Sequence, residues 1–68
     1  MASYYLLELV GTSLVSFADA TRRAMHVAAR AYARMSWVEI VEERGRLIDG
    51  RTPEFQVRVK IAVPNAEA

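Results

Sequence analysis

The sequence predicts an α+β fold of order β-α-β-β, with one long amphipathic helix lying on one face of a small sheet. Three stretches predict it. SFADATRRAMHVAARAYARM, residues 16–35, repeats apolar residues at helical spacing. EFQVRVKIA, residues 54–62, alternates apolar and polar side chains with the two-residue period of a strand. SWVEIVEERGRLIDG, residues 36–50, opens with the same alternation and closes on Asp-Gly, a turn-forming pair.

Each element follows in order. YYLLELV, residues 4–10, is short, apolar and aromatic, and ends at Gly11-Thr12-Ser13, as a strand leaving through a turn does. Its unbroken apolarity predicts burial on both faces, more than one sheet layer over one helix provides. In the helix, Ser16 followed by Asp19 fits a capping box with the short acid, and Asp19 suits the positive end of the helix dipole. Phe17, Ala20, Ala24, Val27, Ala28, Ala31 and Met35 form the apolar stripe. Because the stripe is mostly alanine, the helix can lie close against a sheet. Asp19, Arg22, Arg23, His26, Arg30 and Arg34 take the other side. The second strand spans 37–44, and the loop Arg46–Pro53 leads to the third, 54–62. The second and third strands form an antiparallel hairpin, which the first strand joins across the helix. Residues 1–68 make one domain, with 63–68 expected to fray.

The two faces of this sheet differ. Val38, Ile40, Phe55, Val57, Val59 and Ile61 point toward the helix; Trp37, Glu39, Val41, Gln56, Arg58 and Lys60 point away. That second face is half apolar and is left uncovered by its own chain, so other subunits or a ligand are expected to cover it. Composition agrees. A core of this size rarely supplies more than about 3–5 kcal/mol, and small proteins add disulfides, a metal or self-association. The 68 residues include no cysteine and one histidine, which leaves self-association, and at 53% hydrophobic the chain is too apolar for disorder. A net charge of +1 selects no partner. Glu8 interrupts the apolar N-terminus, no signal peptide is apparent, and no apolar run reaches the roughly 20 residues of a membrane span, so a soluble cytoplasmic protein is expected.

Trp37 and Gln56 share the uncovered face on neighbouring strands. An indole gives a flat stacking surface, and a glutamine amide gives donors and an acceptor in one plane. Together they suit a flat heterocycle with a mixed polar edge, such as a flavin or a nucleobase. The plainer alternative is that both residues pack in a subunit interface.

Across nearly its whole length the chain resembles the dodecins, small flavin-binding proteins. The resemblance rests on Glu8-Leu9-Val10-Gly11-Thr12-Ser13, on Ser16-Phe17 opening the helix, on Trp37-Val38-Glu39, on Arg44-Gly45 and on Phe55-Gln56-Val57, in this order and spacing without an insertion. It implies a three-stranded antiparallel sheet wrapped around the helix and a hollow homododecamer of cubic symmetry. It implies flavins bound in pairs between Trp37 side chains of two subunits, with Gln56 reading the polar edge of the isoalloxazine. Arg44 matches the arginine near the phosphate in members that take FMN, which makes FMN the first expectation, with riboflavin and FAD open. Arg44 is an odd number of residues from Trp37 and should face the helix side; a bulge near Glu43, or delivery from a neighbouring subunit, would bring it round. Departures from the family pattern are Leu14-Val15 in a turn that is usually polar, Ser36 where many bacterial members have Asp, and Pro64 where some FMN-binding members carry an arginine.

Three functions follow for test. The first is non-enzymatic flavin binding and storage, in which stacking sequesters and quenches the ring; no catalytic base is visible. The second is a flavin-dependent enzyme, disfavoured because burying both ring faces leaves no place for a substrate. The third is a nucleic-acid or protein-interaction module using Arg22, Arg23, Arg30 and Arg34. For those arginines, a solvated or inter-subunit salt-bridged face is expected instead. Neither a nucleic acid nor a membrane is expected as a partner.

Overall fold

A computed structural model describes residues 3–32 and 34–65. Its elements run β1 (Tyr4–Ser13), α1 (Phe17–Ala31), β2 (Trp37–Ile48) and β3 (Thr52–Pro64). The sheet order is β1-β3-β2, and β3 is antiparallel to both neighbours. Strands β1 and β2 therefore run the same way, linked by a helical crossover, with β3 inserted between them. The predicted order and hairpin are thus the observed ones.

The central position of β3 decides where the core lies. Val57, Val59 and Ile61, on its helix side, are the large side chains sealed completely from solvent. Ala20, Ala24 and Ala28 meet them from α1, and Leu9, Phe17, Met35, Val38 and Val63 pack around this cluster. Phe17 and Phe55 close one end with an edge-to-face contact, centroids 5.0 Å apart. The helix lies over β1 and β3 and scarcely reaches β2. Ile40, expected in the core, is consequently half exposed.

Helix α1 is shorter than the periodicity implied. It stops at Ala31, and Tyr32 caps it with an extended backbone, φ −132°. Arg34 and Met35 belong to the connection that carries the chain to β2, and Ala33 lies outside the described residues. Met35 does pack against the core, so its helical spacing was right about burial and wrong about backbone. The buried stripe is narrower too: Val27 and Ala31 are exposed, leaving alanines four residues apart to touch the sheet.

The start of α1 keeps half of a capping box. Ser16 Oγ accepts from the Asp19 N–H at 2.9 Å, satisfying one of the orphan donors of the first turn. Asp19 does not reach back. Its carboxylate accepts from buried Ser13 Oγ at 2.6 Å and from Arg23 Nε at 2.8 Å. These two hydrogen bonds, Ser13's first, hold its pKa below the ordinary value. Ser13 Oγ also accepts from the Val15 N–H at 2.9 Å, fastening the β1–α1 turn while Leu14 and Val15 project into solvent. Ser16→Ala is expected to cost about 1 kcal/mol of stability, read as a lower urea midpoint with an unchanged slope.

All three strands run further than the sequence pattern indicated. Strand β1 continues through Gly11-Thr12-Ser13, expected as its exit turn, and these residues pair with Val57, Gln56 and Phe55. Strand β2 continues to Ile48, so the expected loop from Arg46 shrinks to a turn in which the Arg51 N–H donates to Ile48 O at 3.0 Å. Asp49 and Gly50 both take positive φ there, 54° and 68°, which Asp-Gly accommodates. Residues 63–65, expected to fray, are held instead: Val63 and Pro64 pair with Tyr5 and Tyr4, and the Asn65 N–H donates to Ser3 O at 2.9 Å. The rest of the expected tail, 66–68, lies outside the described residues. Among the described residues no helix is long and apolar enough to cross a membrane.

Candidate functional site

The face of the sheet turned away from α1 carries the residues of interest. Along β1 it presents Tyr4, Leu6, Glu8, Val10 and Thr12; their partners on β3 are Pro64, Ala62, Lys60, Arg58 and Gln56. The apolar members on β1 that sequence placed in a doubly buried strand, Tyr4, Leu6 and Val10, are exposed within the single chain.

A bulge governs β2. Pairing with β3 runs from Trp37↔Ala62 to Ile40↔Val59, then resumes at Glu42↔Arg58, leaving Val41 without a partner. One extra residue reverses the facing of everything after it. Arg44, whose count from Trp37 placed it on the helix side, comes to sit opposite Gln56 on the open face. The bulge expected near Glu43 thus lies two residues earlier, and no neighbouring subunit is needed to bring Arg44 beside Gln56.

At Gln56 the open face is polar and tightly connected. Arg44 Nε donates to Gln56 Oε1 at 3.1 Å, and Gln56 Nε2 donates to Glu54 Oε1 at 2.8 Å. Arg46 Nε reaches the same Glu54 oxygen at 2.7 Å. The hydrogen bonds from Gln56 and then Arg46 lower the pKa of Glu54, keeping it a carboxylate. Beside this chain of contacts is a hollow of about 150 Å³ lined by Val10, Glu42, Arg44, Gln56 and Arg58. Drug-sized ligands occupy pockets of roughly 300–1,000 Å³, so one chain alone does not enclose such a ring system here.

Trp37 stands elsewhere on that face. Its indole is 47% exposed, and Tyr4 packs edge-on against it with centroids 4.8 Å apart and planes at 61°. Trp37 pairs with Ala62, and Ala62 is six residues from Gln56 along β3. At about 3.3 Å per residue the two candidate residues stand ~20 Å apart. The fold therefore unites Arg44 with Gln56 and separates both from Trp37. Sequence reasoning named neither Tyr4 nor Glu54 as a site residue. The edge-on brace depends on β1 pairing with β3, which no local pattern reveals; Glu54 was readable as the polar residue two before Gln56.

The helix arginines are less free than their stripe suggests. Arg23 and Arg22 both pair with Asp19, at 2.8 Å and 3.8 Å. With His26, Val27 and Arg30 they line an open depression on the outer helix face, and all four basic side chains are exposed.

The same arrangement of three strands and one helix recurs in known proteins. The chain matches the dodecin from Streptomyces davaonensis at 31% identity and a TM-score of 0.85, over 94% of each chain. It matches the dodecin of Streptomyces coelicolor at 30% identity and a TM-score of 0.87, over 98% of this chain and 96% of that one. A single-substitution variant of the Thermus thermophilus dodecin matches at 28% identity and a TM-score of 0.88, over the full length of both. No curated protein sequence matches. A family model described as Dodecin matches residues 4–64. Since that span takes in all three strands, the helix, the bulge at Val41 and each candidate residue, this chain belongs to the dodecin family.

Proposed function

We propose that this protein binds flavin non-enzymatically, holding it for storage or buffering at sites completed only when copies of the chain assemble. Membership of the dodecin family supports a small flavin-binding protein in general. The observation that carries the finer reading is Trp37: a half-exposed indole, braced from one side by Tyr4, on a sheet face its own chain leaves bare. A flat aromatic surface of this kind suits a stacked isoalloxazine. Gln56 fits the polar edge of such a ring, because Arg44 and Glu54 leave one N–H and one lone pair of its amide unused.

The ~20 Å between Trp37 and Gln56 favours a composite site, in which one subunit stacks and another reads the edge. The exposed Tyr4, Leu6 and Val10 give subunits an apolar reason to associate, and a homododecamer is the assembly the family leads us to expect. FMN is the first candidate ligand, with Arg44 toward the phosphate; riboflavin and FAD lack no contact at Trp37 or Gln56. Pro64 removes a second basic group from the phosphate end, so the ring contributes most of the affinity.

The test is a titration of FMN and of riboflavin with purified protein, following flavin fluorescence. Saturable quenching at an equimolar ratio of flavin to chain, without turnover of a nicotinamide cofactor by the loaded protein, is expected. Flavin that stays fluorescent at excess protein removes the reading; robust nicotinamide turnover makes the protein an enzyme.

A further inference from the structure

We propose that Glu54 is a positioning residue for the flavin site, acting through the side-chain amide of Gln56. This rests on the flavin reading above and deepens it. The two ends of a glutamine amide have nearly the same shape, so packing alone does not choose between its two orientations; the hydrogen-bond partners do. At one end stands Arg44, whose guanidinium can only donate; at the other stands Glu54, whose carboxylate can only accept. Flipping the amide sets its NH2 against the guanidinium and its oxygen against the carboxylate. Both contacts are then lost, and two like-polarity pairs replace them.

Glu54 is itself fixed. Its side chain is 16% exposed, and Arg46, directly across the strand pair, bonds the same oxygen that Gln56 uses. The charge on Glu54 makes both of these hydrogen bonds stronger than neutral ones. A ring edge arriving at Gln56 thus meets its donor and acceptor in one order only, already set before binding. Arg46 contributes by holding Glu54, and Glu54 contributes without touching the ligand.

A double-mutant cycle with riboflavin as probe tests this, since riboflavin has no phosphate to engage Arg44. Glu54→Gln keeps the shape but offers Gln56 either a donor or an acceptor. It is expected to weaken riboflavin binding by up to about twofold, because as much as half of the population then presents the amide reversed. In a Gln56→Ala background the same substitution is expected to change nothing, because its route to the ligand is gone. Equal losses in both backgrounds, or no loss in either, overturn the proposal while leaving the flavin reading in place. Wild-type protein that binds no riboflavin overturns both. A second measurement needs no ligand and no variant: Gln56 is the only glutamine, so 15N-glutamine labelling gives one side-chain amide signal. A proton of that pair displaced toward the carboxylate-bonded range supports the proposal, and a pair at the free-amide position overturns it.

Discussion

Trp37→Ala is expected to weaken riboflavin binding by about thirtyfold or more and to remove most of the fluorescence quenching, with the oligomeric state unchanged. The asymmetry comes from where the indole sits. Trp37 is 47% exposed, and the aromatic contact it makes within its own chain is an edge-on one with Tyr4. The sealed core of Val57, Val59, Ile61 and the helix alanines lies on the opposite face, so truncation leaves it untouched. For a stacked ligand the same side chain is an anchor. An aromatic pair contributes about 0.5–1.5 kcal/mol beyond the area it buries. With the buried area added, truncation reaches the 2 kcal/mol or more typical of an interface hot spot, which is about thirtyfold in Kd. Trp37→Phe keeps a ring of smaller area and should fall between. Isothermal or fluorescence titration, run beside sedimentation velocity on the same samples, reads both halves of the expectation. A variant that binds as tightly as the parent, in an intact assembly, means that the indole does not stack on the ligand.

The elements of this fold were legible because they rest on local rules. The two-residue alternation of 54–62 marked Val57, Val59 and Ile61 as core, and all three are fully buried. The alanine spacing marked Ala20, Ala24 and Ala28, which form the helix side of that core. What escaped depends on partners distant in sequence. Ile40 follows the strand pattern, yet α1 is set over β1 and β3, so Ile40 is left half exposed. The bulge had to be inferred from Arg44 alone, because an extra residue in a strand leaves no mark in hydropathy; only its consequence, an arginine on the wrong parity, was visible. Pairing register decided the rest. Trp37 and Gln56 share a face as parity required, but parity carries no information about distance along a strand. The ~20 Å gap follows from Trp37 meeting Ala62 instead of a residue nearer Gln56.

Gly11→Ala is expected to destabilise the protein by about 3 kcal/mol or more, enough to unfold or disassemble it. Gly11 lies in β1 opposite Val57, on the side facing α1. A Cβ built there falls 2.2 Å from the carbonyl oxygen of Ala20 and 2.9 Å from Ala24 Cβ. The first obstacle is helix backbone, which cannot rotate aside as a long side chain can. Relief requires α1 to lift by more than 1 Å from β1, and close-packed interiors lose a quarter to a half of the contact energy over a 0.5–1 Å gap. The lifted helix also withdraws Ala20 and Ala24 from Val57 and Val59, so one methyl group loosens the whole layer. A core of this size supplies about 3–5 kcal/mol, leaving little to absorb that loss. The alanine stripe and Gly11 are thus two halves of one device: small residues on the helix and none on the strand let two backbones approach. Gly45→Ala is the matched control, since its nearest obstacle is the Glu54 carbonyl oxygen at 3.7 Å, an ordinary contact. Circular dichroism melts of the two variants should separate sharply, with Gly45→Ala close to the parent. If Gly11→Ala instead melts with the parent, α1 does not lie where its alanines place it, and the exposed face that presents Trp37 would have to be redrawn.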